Sequence, residues 1–218
     1  MTLKIVHLSD THFAHEYTRV PEGDILIHTG DALSKGSMQE LSQFARWMQS
    51  LSHKYKIYVP GNHDEVVEKR PDDARAVLGP EIITLINESV EIEGQIIWGS
   101  PYTPFFNNWS FMKYRGPMME EVWEQMPDKV DILLTHGPPW GILDQVPTGM
   151  MPNVGCEDLR KRVLEVKPRI HLFGHIHEGY GMTNVDRISF YNSSIQGDIY
   201  EPLRDPQVIE YTITGEKK

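Results

Sequence analysis

The chain has 218 residues, of which 39% are hydrophobic and 24% charged, a composition that excludes a disordered protein. This length favours one large domain, residues 1–218, over two small ones. The formal net charge of −10 argues against binding to a long nucleic-acid duplex, because no Lys/Arg cluster of the kind that follows a phosphate backbone is visible.

Hydropathy and cysteine content bear on the expected compartment. No apolar run approaches the length of a membrane span, and the N-terminal residues become polar too early for a secretory signal. The single cysteine, Cys156, excludes an intrachain disulfide and is expected to pack as a small hydrophobe. We therefore expect a cytoplasmic protein without a membrane partner. Acidic neighbours surround the basic run 160–162, which we interpret as a solvated helix face.

The first half of the chain predicts a βαβ unit. Apolar runs at residues 3–8, 25–29 and 56–59 are typical of strands, and a helix is expected between the last two. Ser37 can cap this helix, with Glu40 completing a capping box. Its buried stripe would consist of Leu41, Phe44, Ala45, Met48 and Leu51. Strand, helix and strand at these lengths favour a partly parallel sheet.

The second half mixes strand and helix patterns. Residues 89–92 and 95–98 flank Glu93-Gly94 and predict a hairpin, and residues 101–117 predict an ordered, aromatic-rich loop. Further strands are expected at 132–134 and 170–173, and antiparallel strands at 188–192 and 208–213. One helix starts at Pro117 with Met119, Val122 and Met126 inward, and another buries Leu159, Val163 and Val166. The predicted fold class is α/β, with two mixed β-sheets packed as a sandwich flanked by helices.

Five short polar segments follow the ends of these strands. They are Asp10-Thr11-His12, Gly30-Asp31, Gly61-Asn62-His63-Asp64, Thr135-His136-Gly137 and Gly174-His175-Ile176-His177. Sites of α/β proteins form at the carboxyl ends of strands, so separate loops can bring these groups to one point. A single histidine is more often structural, and Asp or Asn after Gly is often a turn residue. Five such segments in this order favour a metal site.

The ligand types indicate which metals and which chemistry the site would support. Imidazole and oxygen ligands without thiolate suit Mn²⁺, Fe, Zn²⁺, Co²⁺ or Ni²⁺ better than Ca²⁺ or a structural zinc site. Mn²⁺ is favoured, and Mg²⁺ stays an alternative. Two ions about 3.5–4 Å apart can share a hydroxide that attacks phosphorus, and they can clamp the phosphoryl oxygens. The residues therefore predict a two-metal phosphoester hydrolase.

Histidines outside these segments have plainer interpretations. His7 and His171 lie within strands and are expected in the core or between the sheets. A packing role is favoured for His28, although contact with the site stays open. His15 is expected at the surface, with substrate contact as the alternative.

These segments resemble the calcineurin-like metallophosphoesterase superfamily, whose blocks D-x-H, G-D, G-N-H-D/E, a later H and G-H-x-H occur in order between residues 10 and 177. Within it, the chain is similar to the small metallophosphoesterase-domain phosphodiesterases. The supporting segments are residues 98–101, 135–139, 155–156, 173–181 and 191–194. The resemblance implies the calcineurin-like metallophosphoesterase fold and small phosphodiester substrates, with cyclic nucleotides as candidates.

The resemblance also implies roles for individual residues. One metal would bind Asp10, His12 and His177 and share Asp31 with the second, which would bind Asn62, His136 and His175. Asn62 and His63 would contact the substrate. His63 would protonate the leaving oxygen, and Asp64 would orient the His63 ring.

Several alternatives stay open. A phosphomonoesterase would use the same metals, and a nuclease of the same superfamily is disfavoured by the acidic charge. A non-catalytic interaction scaffold is the rival from another class. The loop rings Tyr102, Phe105, Phe106, Trp109 and Phe111 can stack a nucleobase or pack in the core, and packing is favoured for most of them. Arg115 can meet a phosphate, but a surface ion pair is favoured.

Overall fold

The computed structural model describes residues 1–147, 153–197 and 203–213. Its strands are β1 (Thr2–Leu8), β2 (Ile25–His28), β3 (Tyr55–Tyr58), β4 (Ile83–Thr84), β5 (Glu88–Ile92), β6 (Gln95–Ser100), β7 (Thr103–Pro104), β8 (Met112–Lys113), β9 (Ile132–Thr135), β10 (Ile170–Phe173), β11 (Gly181–Val185), β12 (Ile188–Asn192) and β13 (Gln207–Thr212). Its α-helices are α1 (Met38–Ser50), α2 (Glu65–Lys69), α3 (Pro71–Leu78), α4 (Pro117–Trp123) and α5 (Glu157–Val166).

Two mixed sheets organise the described residues. The first has the order β13-β1-β2-β3-β4, with β1 to β4 parallel and β13 antiparallel to β1. The second has the order β11-β12-β10-β9-β6-β5, with parallel central strands and antiparallel edges. The predicted α/β fold with two mixed sheets and flanking helices is confirmed.

The main core lies between the sheets because strand side chains alternate between two faces. Along β1, Leu3 and Ile5 face the second sheet, where they join a cluster with Ile132 and Leu172. Fully burying an aliphatic side chain of this kind stabilises a fold by roughly 1.5–3 kcal/mol. This apolar layer holds the two sets of strand ends in a fixed relation.

Helices cover the outer faces of both sheets. The predicted capping box begins α1, because the Ser37 hydroxyl accepts from the Glu40 backbone amide at 3.2 Å and the Glu40 side chain accepts from the Ser37 amide. The buried stripe of α1 packs against the first sheet. On the second sheet, α4 and α5 bury Trp123 and Leu159. Cys156 is buried among them, as expected, and its sulfur caps α5.

The two strands predicted after β10 are present, and each has the expected antiparallel neighbour. Strand β12 pairs antiparallel with β11 and β13 with β1, so the two belong to different sheets. Strand β12 lies parallel to β10 and antiparallel to β11, whereas β13 crosses to the first sheet and pairs with β1. Alternating apolar residues identify a strand but not its partner, so the pattern alone could not assign these two strands to their sheets.

Within the described ranges, no helix has the length and apolar character needed to cross a membrane.

Candidate metal centre

The predicted polar segments meet at one edge of the sandwich. Backbone hydrogen bonds join their loops directly: the Asp10 amide donates to the Gly30 carbonyl and the Gly174 amide to the His136 carbonyl, each at 2.9 Å. The His12 amide donates to the Asp31 carbonyl at the same distance. The loops therefore form one bonded layer above the strand ends.

Four of the expected ligands adopt a strained backbone conformation. The φ angles are +55° at Asp10, +41° at His12, +52° at Asp31 and +69° at His175. Residues other than glycine visit this left-handed region rarely, and such strain concentrates at functional sites. The strained backbone turns these side chains toward a common centre.

Glycine is required where the loops approach most closely. A Cβ atom on Gly61 would lie 2.3 Å from Asp31 Oδ1, and one on Gly174 would lie 2.2 Å from Asp10 Oδ2. Neither distance is compatible with a side chain. The absence of a side chain at Gly61 and Gly174 therefore leaves room for the carboxylates of Asp31 and Asp10.

Six of the seven expected ligands form two groups whose potential ligand atoms lie within 4.8 Å of one another. The Asp10 group consists of Asp10, His12 and His177, and the Asp31 group consists of Asp31, His136 and His175. The seventh residue, Asn62, places Oδ1 at 2.9 Å from His136 Nε2 and so adjoins the Asp31 group.

Asp31 lies between the two groups. Its Oδ2 atom is 3.9 Å from His12 Nε2, and its Oδ1 atom is 3.4 Å from His136 Nε2. One carboxylate oxygen thus faces each group. This arrangement is the one expected of a carboxylate shared by two cations.

An unpartnered oxygen shows that the Asp10 group fits a cation. Asp10 Oδ2 accepts from the Ser194 hydroxyl at 2.7 Å and from the His175 amide at 2.9 Å, whereas buried Oδ1 has no hydrogen-bond partner. Leaving a buried acceptor unsatisfied costs about 1–3 kcal/mol, and more for a charged group. Oδ1 lies 3.6 Å from His177 Nε2, so a metal ion between them would satisfy both atoms.

The Asp31 group shows the same fit through the orientation of His136. Its Nδ1 atom donates to the Thr29 carbonyl at 2.8 Å, which turns Nε2 toward Asn62 Oδ1 and Asp31 Oδ1. These oxygens are both acceptors, so the space between them and Nε2 must hold a proton or a metal ion. A backbone acceptor on the second ring nitrogen is the usual way to orient a metal-binding histidine.

The electrostatics of the centre favour positive charge. Burial raises the pKa of Asp10 and Asp31, but the surrounding histidines outweigh this effect and hold both values well below the usual range. Burial lowers the pKa of His175 to about 4. It also opposes charge on His136, but the neighbouring Asp31 carboxylate and further hydrogen bonds raise that pKa to about 9. Two ionised carboxylates therefore face imidazoles in a buried space.

His63 and Asp64 differ in position. The His63 ring is partly exposed, with Nε2 4.0 Å from Asp31 Oδ2 and Nδ1 donating to the Ser34 carbonyl at 3.3 Å. Asp64 is fully buried and accepts from the backbone amides of Gly61 at 2.7 Å and Leu33 at 2.9 Å. Burial and Asp31 together raise its pKa to about 7.

The expected contact between Asp64 and His63 is therefore wrong. His63 and Asp64 are adjacent in the sequence, so their side chains could have been in contact. The backbone turn instead directs the Asp64 carboxylate beneath the loop, toward the amides of Gly61 and Leu33. Asp64 ties the Gly61 turn to the loop after β2, and the Ser34 carbonyl orients His63 in its place.

The remaining histidines have structural environments, with one correction. His7 and His171 are completely buried within strands, as expected, and hydrogen-bond to Thr29 at 2.9 Å and Thr135 at 2.7 Å. The packing role of His28 is also confirmed, since it is buried against Phe44. The expected surface exposure of His15 is wrong: it is 1% exposed, because the turn His15–Tyr17 folds against α1.

Loop 101–117 divides into buried and exposed rings. Phe111 is 2% exposed and Tyr102 packs against the core, as expected. Phe105, Phe106 and Trp109 are instead 43%, 67% and 42% exposed, so core packing is wrong for these three rings. The backbone bonds from Thr103 to Phe111 and from Phe105 to Lys113 hold the loop in order and direct these rings outward. Arg115 forms the expected ion pair, with Glu157.

Sequence reasoning assigned no role to Ser194. It lies in the segment 191–194, which belongs to the motifs noted above, but a serine carries no distinctive ligand signal. In the fold it donates to Asp10 from 184 residues away. Only that contact identifies it as part of the centre.

Comparison with known proteins defines the family. The family model described as calcineurin-like phosphoesterase matches residues 3–179. The chain belongs to the calcineurin-like phosphoesterase family. It is 37% identical to human metallophosphoesterase domain-containing protein 1 over 95% of this chain and 70% of that protein. A UPF0046 protein of Caenorhabditis elegans is also 37% identical, over 88% of this chain and 69% of that protein.

Solved structures share the fold. The crystal structure of TT1561 of Thermus thermophilus matches with a TM-score of 0.62 and 14% identity over 89% of this chain and 90% of that chain. A 5′-nucleotidase precursor from the same organism matches with a TM-score of 0.52 and 13% identity over 97% of this chain and 54% of that chain. At these identities the likeness establishes the architecture alone.

Proposed function

We propose that this phosphoesterase is a two-metal hydrolase of small phosphodiesters, with cyclic nucleotides among the candidate substrates. The observation that carries the proposal is the position of Asp31, whose two oxygens face separate groups of ligands. Two-metal sites with a shared ligand suit phosphoryl chemistry. Family membership supports the phosphoester class.

The residues present fit two divalent cations. Asp10, His12 and His177 would hold one ion and His136, His175 and Asn62 the other, with Asp31 shared. Imidazole and oxygen donors favour Mn²⁺ within a set that includes Fe, Zn²⁺, Co²⁺, Ni²⁺ and Mg²⁺. When bound, such ions neutralise phosphoryl oxygens and lower the pKa of a water molecule.

His63 is the residue proposed to act on the leaving group. Because its Nδ1–H is bonded to the Ser34 carbonyl, Nε2 is directed toward Asp31 and the centre. The Trp109 ring packs against the imidazole at a centroid distance of 4.0 Å and restricts its rotation. In its imidazolium form, with Nδ1–H held by Ser34, His63 would present Nε2–H to the centre and deliver that proton to the leaving oxygen, returning to the neutral ring, a contribution of about 10²–10⁴-fold. Asp64 acts indirectly, by fixing the loop that carries Asn62 and His63.

The space around the centre supports diesters over monoesters. A cavity of about 480 Å³ adjoins Asn62, His63 and Trp109. A separate cavity adjoins His175 and His177. Room beside both groups of ligands suits a phosphorus atom that carries two ester groups. A complete set of ligand side chains argues against the scaffold alternative, and the net charge of −10 argues against a nuclease.

We also propose a single domain over residues 1–218 and a cytoplasmic location. The two sheets share one continuous apolar core, which supports the first. The single, buried cysteine supports the second.

The test compares bis-p-nitrophenyl phosphate with p-nitrophenyl phosphate, using Mn²⁺-loaded protein whose metal content is measured by elemental analysis. We expect faster cleavage of the diester. Faster cleavage of the monoester would identify a phosphatase. No cleavage of either, with two ions bound per chain, would overturn the hydrolase proposal for these ester classes and favour the scaffold.

A further inference from the structure

A cavity of about 560 Å³, here called the ring cavity, opens beside the metal centre. His175 and His177 form part of its lining, whereas His63 lines the other cavity. Its size falls in the range of about 300–1,000 Å³ typical of small-molecule sites. The ring cavity is therefore a second compartment next to the place where phosphorus would bind.

The described lining of the ring cavity is largely apolar. It includes Phe105, Phe106, Pro138, Val146, Val154 and Ile176. Phe105 and Phe106 are two of the three exposed loop rings, and the third, Trp109, lines the other cavity. Exposed aromatic surface grouped beside a polar centre marks a binding site more often than chance exposure does.

The charges of the ring cavity disfavour a second phosphate. Arg115 lines it, but its guanidinium donates to the Val154 carbonyl at 2.8 Å and the Gly155 carbonyl at 2.6 Å and pairs with Glu157. The Glu178 carboxylate also lines the cavity. An anionic group would meet this carboxylate and a cation that is already paired, so an uncharged group fits better.

The walls are held in place before any ligand binds. Buried Asp144 accepts from the amides of Gly141 and Gly155, each at 2.9 Å, and fixes one wall. On the other wall, the Phe105 ring stacks on Tyr114 at a centroid distance of 4.6 Å. Fixed walls reduce the entropy lost on binding, which favours recognition of a rigid ligand.

We propose that the ring cavity binds the ester group that stays on phosphorus during hydrolysis, and that this group carries an uncharged planar ring. The inference rests on the proposed function, because it assumes that His63 serves the leaving oxygen. Since His63 does not line the ring cavity, the leaving group lies elsewhere and the retained group occupies this compartment.

The test uses diesters that share a p-nitrophenolate leaving group and differ in the retained group. Phenyl, methyl and 5′-thymidyl p-nitrophenyl phosphates are compared with wild type, Phe106→Ala, Phe106→Trp and the control Tyr17→Ala, an exposed ring outside the cavity. Comparing the phenyl-to-methyl ratio of kcat/KM between variants cancels the intrinsic reactivities of the esters.

We expect Phe106→Ala to lower the phenyl-to-methyl ratio by about 2- to 12-fold, the range of a single aromatic contact. Phe106→Trp should restore the ratio, and Tyr17→Ala should leave it unchanged. A parallel loss for the thymidyl ester would identify the ring as a nucleobase, whereas a loss confined to the phenyl ester would identify a simple aryl group. An unchanged phenyl-to-methyl ratio in Phe106→Ala would overturn the proposal.

A binding measurement separates failure of this inference from failure of the proposed function. If the metal-loaded wild type cleaves no diester, the proposed function fails, and calorimetry with phenyl phosphate and methyl phosphate decides the ring cavity. Tighter binding of phenyl phosphate that is lost in Phe106→Ala would still support the cavity. Equal binding of the two compounds would overturn it.

Discussion

Histidines occupy two regions of this molecule, and their neighbours differ systematically. In the core, His7 and His171 lie within strands and hydrogen-bond to threonine hydroxyls. At the strand ends, His136 and His175 face carboxylates and each other, with ring centroids 4.8 Å apart. The comparison shows that a histidine bonded to hydroxyls inside a strand has a structural role, whereas one that faces carboxylates at a strand end is a candidate metal ligand.

Protonation separates His136 from the core histidines, but not His175, whose pKa burial and the neighbouring His136 lower to about 4. Burial, reinforced by neighbouring His28, lowers the pKa of His7 to about 3, and burial lowers that of His171 to about 3. The Asp31 carboxylate overcomes the same burial at His136 and raises its pKa to about 9. Equal burial therefore gives opposite shifts, because the nearest polar partner decides the sign.

Removing the Asp31 carboxylate should have the largest effect on the proposed metal centre. Asp31→Ala deletes the oxygens that face both groups, so at least one metal position should be empty and activity should fall by about 10³-fold or more. Elemental analysis and diester hydrolysis would measure both effects. The exposed carboxylate of Asp72 provides the control, Asp72→Ala. Full metal occupancy in Asp31→Ala would contradict the shared-ligand role.

Removing His63 should separate proton transfer from metal binding. His63→Ala should lower kcat by about 10²–10⁴-fold while both ions stay bound, because no other expected ligand depends on its ring. Activity and metal content are measured on the same preparation. A matched loss of metal would show that His63 is a ligand instead, as its place beside His12 and Asp31 would allow.

Ser194→Ala tests a smaller contribution to the same region. Its hydroxyl satisfies Asp10 Oδ2, and loss of such a supporting hydrogen bond weakens metal affinity by about 10–100-fold. Metal titration by calorimetry measures the change, with Ser189→Ala as control because the Ser189 hydroxyl bonds Asn184 away from the centre. Equal affinities in the two variants would exclude Ser194 from the metal centre.

Lowering the pH should destabilise the folded protein gradually through its buried core histidines. His7 and His171 are neutral when folded, and their pKa values lie near 3 when folded and near 6.5 when unfolded. Their contribution to stability is full above pH 6.5 and is lost as the pH falls toward 3, by up to about 1.4 kcal/mol per pH unit for each group.

Urea unfolding of metal-free protein between pH 7 and pH 5 would measure this slope. His7 and His171 should contribute equally to the dependence of unfolding free energy on pH. His171→Gln should therefore remove about half of their joint contribution, even if it also lowers stability at pH 7. An identical slope in wild type and variant would mean that His171 is not buried in its neutral form.

Much of this fold follows from local patterns. The periodic apolar residues of α1 and its Ser37–Glu40 capping box act within one helix, so they are visible without tertiary structure. The sequence pattern could not predict that β12 pairs with β10 and β13 with β1, because a strand's own residues do not specify its partner. The same distinction explains His15, which is buried by a helix that begins more than twenty residues later.

By itself, the sequence determined the types of the candidate ligand residues, their spacing and their positions after strands. These features depend on short-range patterns, such as the residue at which an apolar run ends and a glycine-containing segment begins. Only the tertiary structure decided that the two oxygens of Asp31 face different groups, that Ser194 supports Asp10, and that Asp64 lies under its loop. The physical reason is that a side chain finds its partner where distant loops meet, and the packing of the two sheets sets that meeting point.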